Sequence, residues 1–383
     1  MRIAIDARLV HYTQAGIGQY TIRLLRAIAR LNHDDQFFVL QSRKQPDPIV
    51  QQANFRRLGL WTPPHNRFEQ LALPLELLRL DVDVLHSPDF IPPLYVRRFR
   101  CVITIHDLHF LIYPKFLTEE SARYYGQIDR AVQRADHIIV PSEATRQDTI
   151  KLLGVPESRI SVISEAANPL FRPLERSQAL AQARTRFPTL PNDFILFVGT
   201  LEPRKNIPTL LRAVREVREA YKNAIELVLV GRRGWLVEDL QRQIDALQLR
   251  PYCHFLGRVE DEDLLYLLNA ARCLVLPAHY EGFGLPPLEA MACGTPVIVS
   301  NVASLPEVVG DAGLFIDPNN WQELAVTLQQ VLTSETLAQE LREKGLQRAA
   351  LFTWERAARE TLAVYKKVAT MPASSDNARW AAA

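Results

Sequence analysis

CLVLPAHYEGFGLPPLEAMACGTPVIVS, residues 273–300, carries the pattern that decides the fold. Cys273–Leu276 is a short apolar run of strand character, and the loop behind it holds Gly282 and Gly284, which let backbone approach a ligand closely. Leu285 opens a helix with Pro286 and Pro287 in its first turn, where a missing N–H is tolerated. A second buried run, Pro296–Val299, follows. This is the βαβ unit of a parallel sheet.

The same alternation extends outward in both directions. C-terminal to it comes a short run at Leu314–Ile316; N-terminal to it come Phe194–Val198, Glu226–Val230 and Cys253–Leu256. Further back, strands are expected at Arg2–Asp6, Gln36–Leu40, Val82–His86, Cys101–Ile105, His137–Val140 and Ile160–Ile163. Ile17, Tyr20, Leu24, Ile28 and Leu31 recur at helical spacing, with Arg23, Arg26 and Arg30 on the other face, so the first long helix packs on a sheet. Between Asn168 and Asn192 the alternation stops and Pro169, Pro173, Pro188 and Pro191 punctuate a polar stretch. A chain of 383 residues is long enough for two domains of about 150. The expected division is residues 1–170, a linker at 171–191, residues 192–353, and a tail at 371–383 that frays.

Composition excludes several classes. Lys and Arg number 45 against 43 Asp and Glu, a net charge of +2, so no global basic field holds nucleic acid. Asp6 and Arg8 interrupt the first apolar stretch, which argues against a secretory signal. The longest uncharged run, Ala290–Pro306, is broken by Gly294 and Pro296 and falls short of the roughly 20 residues of a membrane span. Cys101, Cys253, Cys273 and Cys293 form no CxxC pair and read as buried thiols in a reducing cytoplasm.

In open parallel sheets ligands sit beyond the carboxyl ends of strands, so the residues after each run are the candidates for a site. Gly16-Ile17-Gly18 precedes a helix and is either an anion site or a loop cap; Thr21 stands where a dinucleotide fingerprint needs a third glycine. In GTLEPRKN, Gly199–Asn206, the adjacent Arg204 and Lys205 suit a diphosphate better than a solvated surface pair, because a buried strand delivers them. Gly231–Gly234, GRRG, ends another strand. Glu281 lies in a loop and Glu289 inside the following helix, so they address different parts of one ligand, unless Glu289 only complements the helix start. His106-Asp107 and His109 lack the spacing of a zinc site; His106 is either a hydrogen-bonding group facing the cleft or a structural histidine. Ser142 reads as a helix N-cap. Arg97, Arg98 and Arg100, with Leu60, Trp61, Leu94 and Tyr95, read first as a solvated edge and second as a contact for an anionic membrane.

With these residues in place the chain resembles the retaining glycosyltransferases of family 4. The resemblance runs from Ile5-Asp6-Ala7-Arg8 to the last helix and is most specific in the EX7E pair Glu281 and Glu289, the following AMACGTPVIVSN, and GTLEPRKN. It implies the GT-B fold: α/β, two Rossmann-like parallel-sheet domains facing across a cleft, with a last helix, about 354–370, returning to the first domain. It implies transfer of a hexosyl group from a nucleoside diphosphate sugar to a hydroxyl of a glycan or lipid-linked acceptor, with no cofactor and no metal. Carried over by position, Arg204 and Lys205 hold the diphosphate, Glu281 the sugar hydroxyls and Glu289 the ribose. The backbone of Phe283, Gly284 and Leu285 meets sugar and phosphates, with Gly199 beside them. Gly231, Arg258 and Val259 lie near the base, His106 bonds the transferred sugar, and Gly16 and Gly18 meet phosphate and acceptor. Two departures stand out: Ala15 precedes Gly16 where many members have glycine, and Glu165-Ala166-Ala167-Asn168 replaces Asn-Gly-Val-Asp. With GIGQY, that variant looks like the bacterial mannosyltransferase-type members and favours GDP-mannose, in the cytoplasm or peripherally at the inner membrane face. A same-fold epimerase or phosphorylase and a non-catalytic sugar-nucleotide binder are the competing readings.

Overall fold

The computed structural model describes residues 1–12, 16–116, 119–220, 222, 224–232 and 237–372; Ala15, Arg233, Gly234 and the tail beyond 372 lie outside them. The chain divides into two units, Met1–Glu165 with the C-terminal segment from Trp354, and Ala166–Thr353.

The first unit is built on a parallel sheet of β1 (Arg2–Asp6), β2 (Gln36–Ser42), β3 (Phe55–Leu60), β4 (Val84–Ser87), β5 (Arg100–Thr104), β6 (His137–Val140) and β7 (Ile160–Val162). Its order is β3-β2-β1-β4-β5-β6-β7. Ile3, Ala4 and Ile5 are fully buried, with Ile3 opposite Phe37 on one side and Val84 on the other. A strand covered on both faces needs such an unbroken apolar run. The second unit repeats the plan with β8 (Phe194–Val198), β9 (Glu226–Val230), β10 (Cys253–Gly257), β11 (Cys273–Leu276), β12 (Val297–Ser300) and β13 (Leu314–Ile316), ordered β10-β9-β8-β11-β12-β13. In each sheet the chain walks outward from its first strand and then restarts on that strand's other side. The switch points therefore fall between β1 and β4 and between β8 and β11, where this architecture leaves room for ligands.

The helix Trp354–Ala369 completes the first unit, packing on the helix Gly16–Leu31 and against β4 and β5. The fully buried Tyr365 hydroxyl meets His86 Nδ1 at 2.6 Å, and Trp354 packs edge-on to Tyr20 at 5.9 Å. Ser142 caps its helix as expected, its Oγ accepting from Thr145 N at 3.1 Å. The four cysteines are free, and burial pushes each thiol up to about 12. Among the described residues no helix is long and apolar enough to cross a membrane.

Three features add to what the sequence shows. Strand β3 was not anticipated, because Arg56, Arg57 and Gly59 break its pattern; it is an edge strand, where charge is tolerated, held by Phe55 stacked on Phe37 at 4.5 Å. The stretch 171–191, expected as the linker, is partly helical. It contains the helix Arg176–Arg186, whose cap Glu175 accepts from Ser177 N (2.7 Å) and Gln178 N (3.1 Å), and the prolines flank that helix rather than interrupt it. The buried Asn269 fixes the approach, accepting from Leu174 N at 2.7 Å and donating to Arg172 O at 3.1 Å. Of the basic cluster, Leu60 and Leu94 are buried and Arg100 bonds Asp136 at 2.9 Å, whereas Trp61, Tyr95, Arg97 and Arg98 are exposed.

Candidate functional site

In the second unit the switch point brings Gly199, after β8, beside the loop that follows β11. Pro203–Lys205 form a 3-10 turn closed by Asn206, whose left-handed backbone (φ 56°) turns the chain into the next helix. Asn206 Nδ2 donates to the carbonyls of Pro277 (2.9 Å) and Pro318 (2.6 Å). His279 N donates to Arg204 O (2.8 Å) and Arg204 Nη1 to Tyr280 O (2.7 Å), so the two loops are laced together.

The charged groups sit inside this lacing. Glu281 accepts from Lys205 Nζ and from Arg204 Nη1 (3.2 Å); Glu202 accepts from Arg204 Nη2 (2.7 Å) and Nε (3.1 Å). All four side chains are about nine-tenths buried. The expected basic pair is thus half of a near-neutral cluster, and Glu281, expected at the sugar, touches both cations. Buried ions of this kind persist only when mutually compensated. Ser304, fully buried, fixes the loop: its Oγ lies 2.8 Å from Glu281 O and 2.7 Å from Phe283 O.

Gly284, at φ 110°, caps the helix Leu285–Ala292. Pro286 and Pro287 bring no N–H, so the donors at this helix start are Gly284 and Leu285, next to the dipole's positive end. Glu289 lies one turn in and is buried. Gly231 (φ 148°) must be glycine, since a Cβ there would sit 1.9 Å from Gly199 O. Gly257 O accepts from Gly231 N at 2.8 Å, and the next residues, Arg258 and Val259, line a depression with Arg186, Phe187 and Asp263.

In the first unit His106 has acceptors at both ring nitrogens, Glu165 Oε1 at Nδ1 and Pro88 O at Nε2, each at 2.9 Å. Acceptors at both ring nitrogens favour the doubly protonated ring. Burial works against that charge, but the Glu165 carboxylate and the Pro88 carbonyl outweigh it and raise the pKa. Its polar atoms are thereby engaged by the protein, and Tyr20 packs edge-on to the ring at 4.8 Å. Gly16 starts its helix at φ 22° in open space, while Gly18 is buried.

A second polar recess, of about 20 Å³, lies at the β1/β4 switch point. Arg8, 1% exposed, donates to Asp6 (2.7 Å), Glu69 (2.6 Å) and Thr62 O (2.9 Å). Across from it Asp89 Oδ2 accepts from Tyr124 Oη (2.5 Å) and meets His65 Nε2 (2.6 Å). Burial pushes the Asp89 carboxyl up, yet His65 and Tyr124 hold it below its ordinary value; burial pushes His65 down, yet Asp89 and Glu69 raise it. Glu69 is raised, by burial above all. No local motif marks His65, Glu69, Asp89 and Tyr124; the one signal in the sequence is that Asp6 ends strand β1 just before Arg8, and Pro88-Asp89 follows β4. Among the described residues no group of three His, Cys, Asp or Glu side chains is placed to hold a metal ion.

Residues 15–169 match the family described as Glycosyltransferase Family 4 and residues 183–348 the family described as Glycosyl transferases group 1. The O-antigen chain mannosyltransferase B of Escherichia coli is 31% identical over 382 residues, covering 96% of this chain and all of that protein. Among solved structures, sucrose-phosphate synthase from Thermosynechococcus elongatus superposes with a TM-score of 0.77 at 24% identity, covering 96% and 98% of the two chains. Anabaena HepE in complex with UDP and glucose gives 0.75 at 18%, covering 96% of this chain and 100% of that one. These two likenesses are likenesses of fold.

Proposed function

Because this chain belongs to the family 4 glycosyltransferases and is therefore a sugar-transferring enzyme, we propose that it moves mannose from GDP-mannose to a hydroxyl of a glycan or lipid-linked acceptor, with retention at the anomeric carbon. The observation that carries the reading is the Arg204, Lys205 and Glu281 cluster at the β8/β11 switch point, beside the helix start at Gly284. The relative named a mannosyltransferase, which the chain matches over its full length, supports the choice of sugar.

When the bond from the anomeric carbon to the diphosphate breaks, negative charge grows on the leaving oxygen. Arg204 and Lys205 stabilise that charge, each charge-assisted bond contributing about 1.5–3 kcal/mol, and the N–H groups of Gly284 and Leu285 add the helix dipole. Glu281 keeps the two cations fixed before the donor arrives, so little reorganisation is needed as charge develops. This chemistry runs on protein groups alone, without a metal. The recess of Arg8, Asp89, His65 and Tyr124, about 20 Å³, has room for a single hydroxyl-sized group. The four unpaired thiols support a reducing, cytoplasmic setting.

The test is transfer from GDP-mannose, with UDP- and ADP-sugars as competing donors, by the native chain and by Lys205→Ala and Glu281→Gln. Each substitution is expected to lower kcat by about 10² to 10³ with donor binding still measurable. Undiminished transfer by both variants, or nucleotide binding without transfer to any acceptor, overturns the reading.

A further inference from the structure

We propose that the helix Glu69–Glu76 and the loops beside it form a face that seats this protein on an anionic lipid surface. The segment Phe68–Leu80, FEQLALPLELLRL, is apolar nearly all round. Leu73, Leu77 and Leu80 turn inward and are buried, together with Glu69, which bonds Arg8. Phe68, Leu71, Leu75 and Leu78 point the other way and are 54%, 69%, 68% and 56% exposed. Trp61 (70%) and Tyr95 (66%) extend this stripe. Trp61 and the residue before Tyr95 are tied to the helix, since Trp61 N donates to Glu76 Oε2 at 2.7 Å and Leu94 N to Gln70 Oε1 at 2.9 Å. Among the described residues seven large apolar side chains are more than half exposed, and these are six of them; Leu351 is the other. Contiguous apolar surface of this kind marks an interaction face.

The charges around it select the partner. The Arg43 guanidinium lies 3.0 Å over the Trp61 ring, Arg67 lies 4.6 Å over Phe68, and Arg98 donates to Leu78 O. Arg79, next to Leu78, and Arg97, next to Arg98, are also exposed. Of the carboxylates in and just after this segment, Glu76 is engaged by the backbone at Trp61 and Thr62, and Asp81 by Arg2. An apolar stripe with an aromatic and arginine rim matches the boundary between anionic headgroups and acyl chains. A second copy of the chain fits less well, because a two-fold contact would set arginines against arginines. The face stands on its own geometry and does not depend on the transfer reaction.

The experiment is co-sedimentation of the full chain with vesicles of phosphatidylcholine alone and of phosphatidylcholine mixed with phosphatidylglycerol, at low and high salt. Binding is expected with the anionic vesicles and to weaken with salt, by about fivefold for each of Arg79→Ala and Arg97→Ala. The double variant Leu71→Glu, Leu75→Glu is expected to lose at least about tenfold, with an unchanged thermal melt because both side chains are largely exposed. That variant should also keep full transfer to a short water-soluble acceptor. No sedimentation with either vesicle, or equal binding by the double variant, overturns the proposal. So does a dimer seen by light scattering that the double variant dissociates, which would make a second copy the occupant.

Discussion

Gly231 shows what a single residue carries here. The strand ends of β8 and β9 approach so closely that a side chain at 231 collides with the Gly199 backbone, 1.9 Å from its oxygen. Gly231→Ala is therefore expected to destabilise the second unit by roughly 2–4 kcal/mol and to displace Gly199, which neighbours Lys205. Denaturant unfolding and donor affinity, measured together, check this; an unchanged midpoint contradicts it. At this scale the sequence was most legible where chemistry is local. Arg204, Lys205 and Glu281 could be picked out because glycines and a strand end announce them. Glu202 and Ser304 could not, because their roles exist only once two loops lace. The Asp89, His65 and Tyr124 group is drawn from three distant segments, and no local spacing encodes it.

At the scale of elements, buried runs such as β8 and β11 were plain to read, since a central parallel strand has no polar face. Edge strand β3 and the helix Arg176–Arg186 were obscured by charge and by flanking prolines, and only pairing with β2 or packing on the helix Asp261–Ala270 defines them. The C-terminal helix is held to the first unit partly through one polar contact, Tyr365 on His86. Tyr365→Phe leaves that buried nitrogen without its partner, at an expected cost of about 1–3 kcal/mol. Hydrogen exchange should then rise first in Trp354–Ala369. Unaltered protection there would mean that the Tyr365 bond is dispensable beside the apolar packing and the contacts of Glu355 with Arg30 and Lys367 with Ser158 O.

For the whole molecule, buried histidines set the response to acid. His86 is pushed down to about 3, by burial and then by His106; His137 falls to about 4, by burial and then by Lys367 and Arg159. Both are neutral when folded and titrate near 6.5 when unfolded, so their stabilising contribution is present above about pH 6.5 and lost as the pH falls, by roughly 2 kcal/mol each at pH 5. His65 and His106, with raised values, act in the opposite sense: their contribution is complete below about 6.5 and is lost as the pH rises through the folded values. The denaturation midpoint of the first unit is thus expected to fall from pH 7 to pH 5, and a flat profile would contradict the burial argument. The two parallel sheets were legible as a whole because the same alternation repeats through both halves. The most direct test of the central claim is the NMR anomeric configuration of the product made from GDP-α-mannose. The proposed retention predicts an α-mannoside, and the Arg204, Lys205 and Glu281 site predicts that its formation slows by about 10² to 10³ in Lys205→Ala; a β-linked product, or no mannosyl transfer to any saccharide acceptor, would contradict the account.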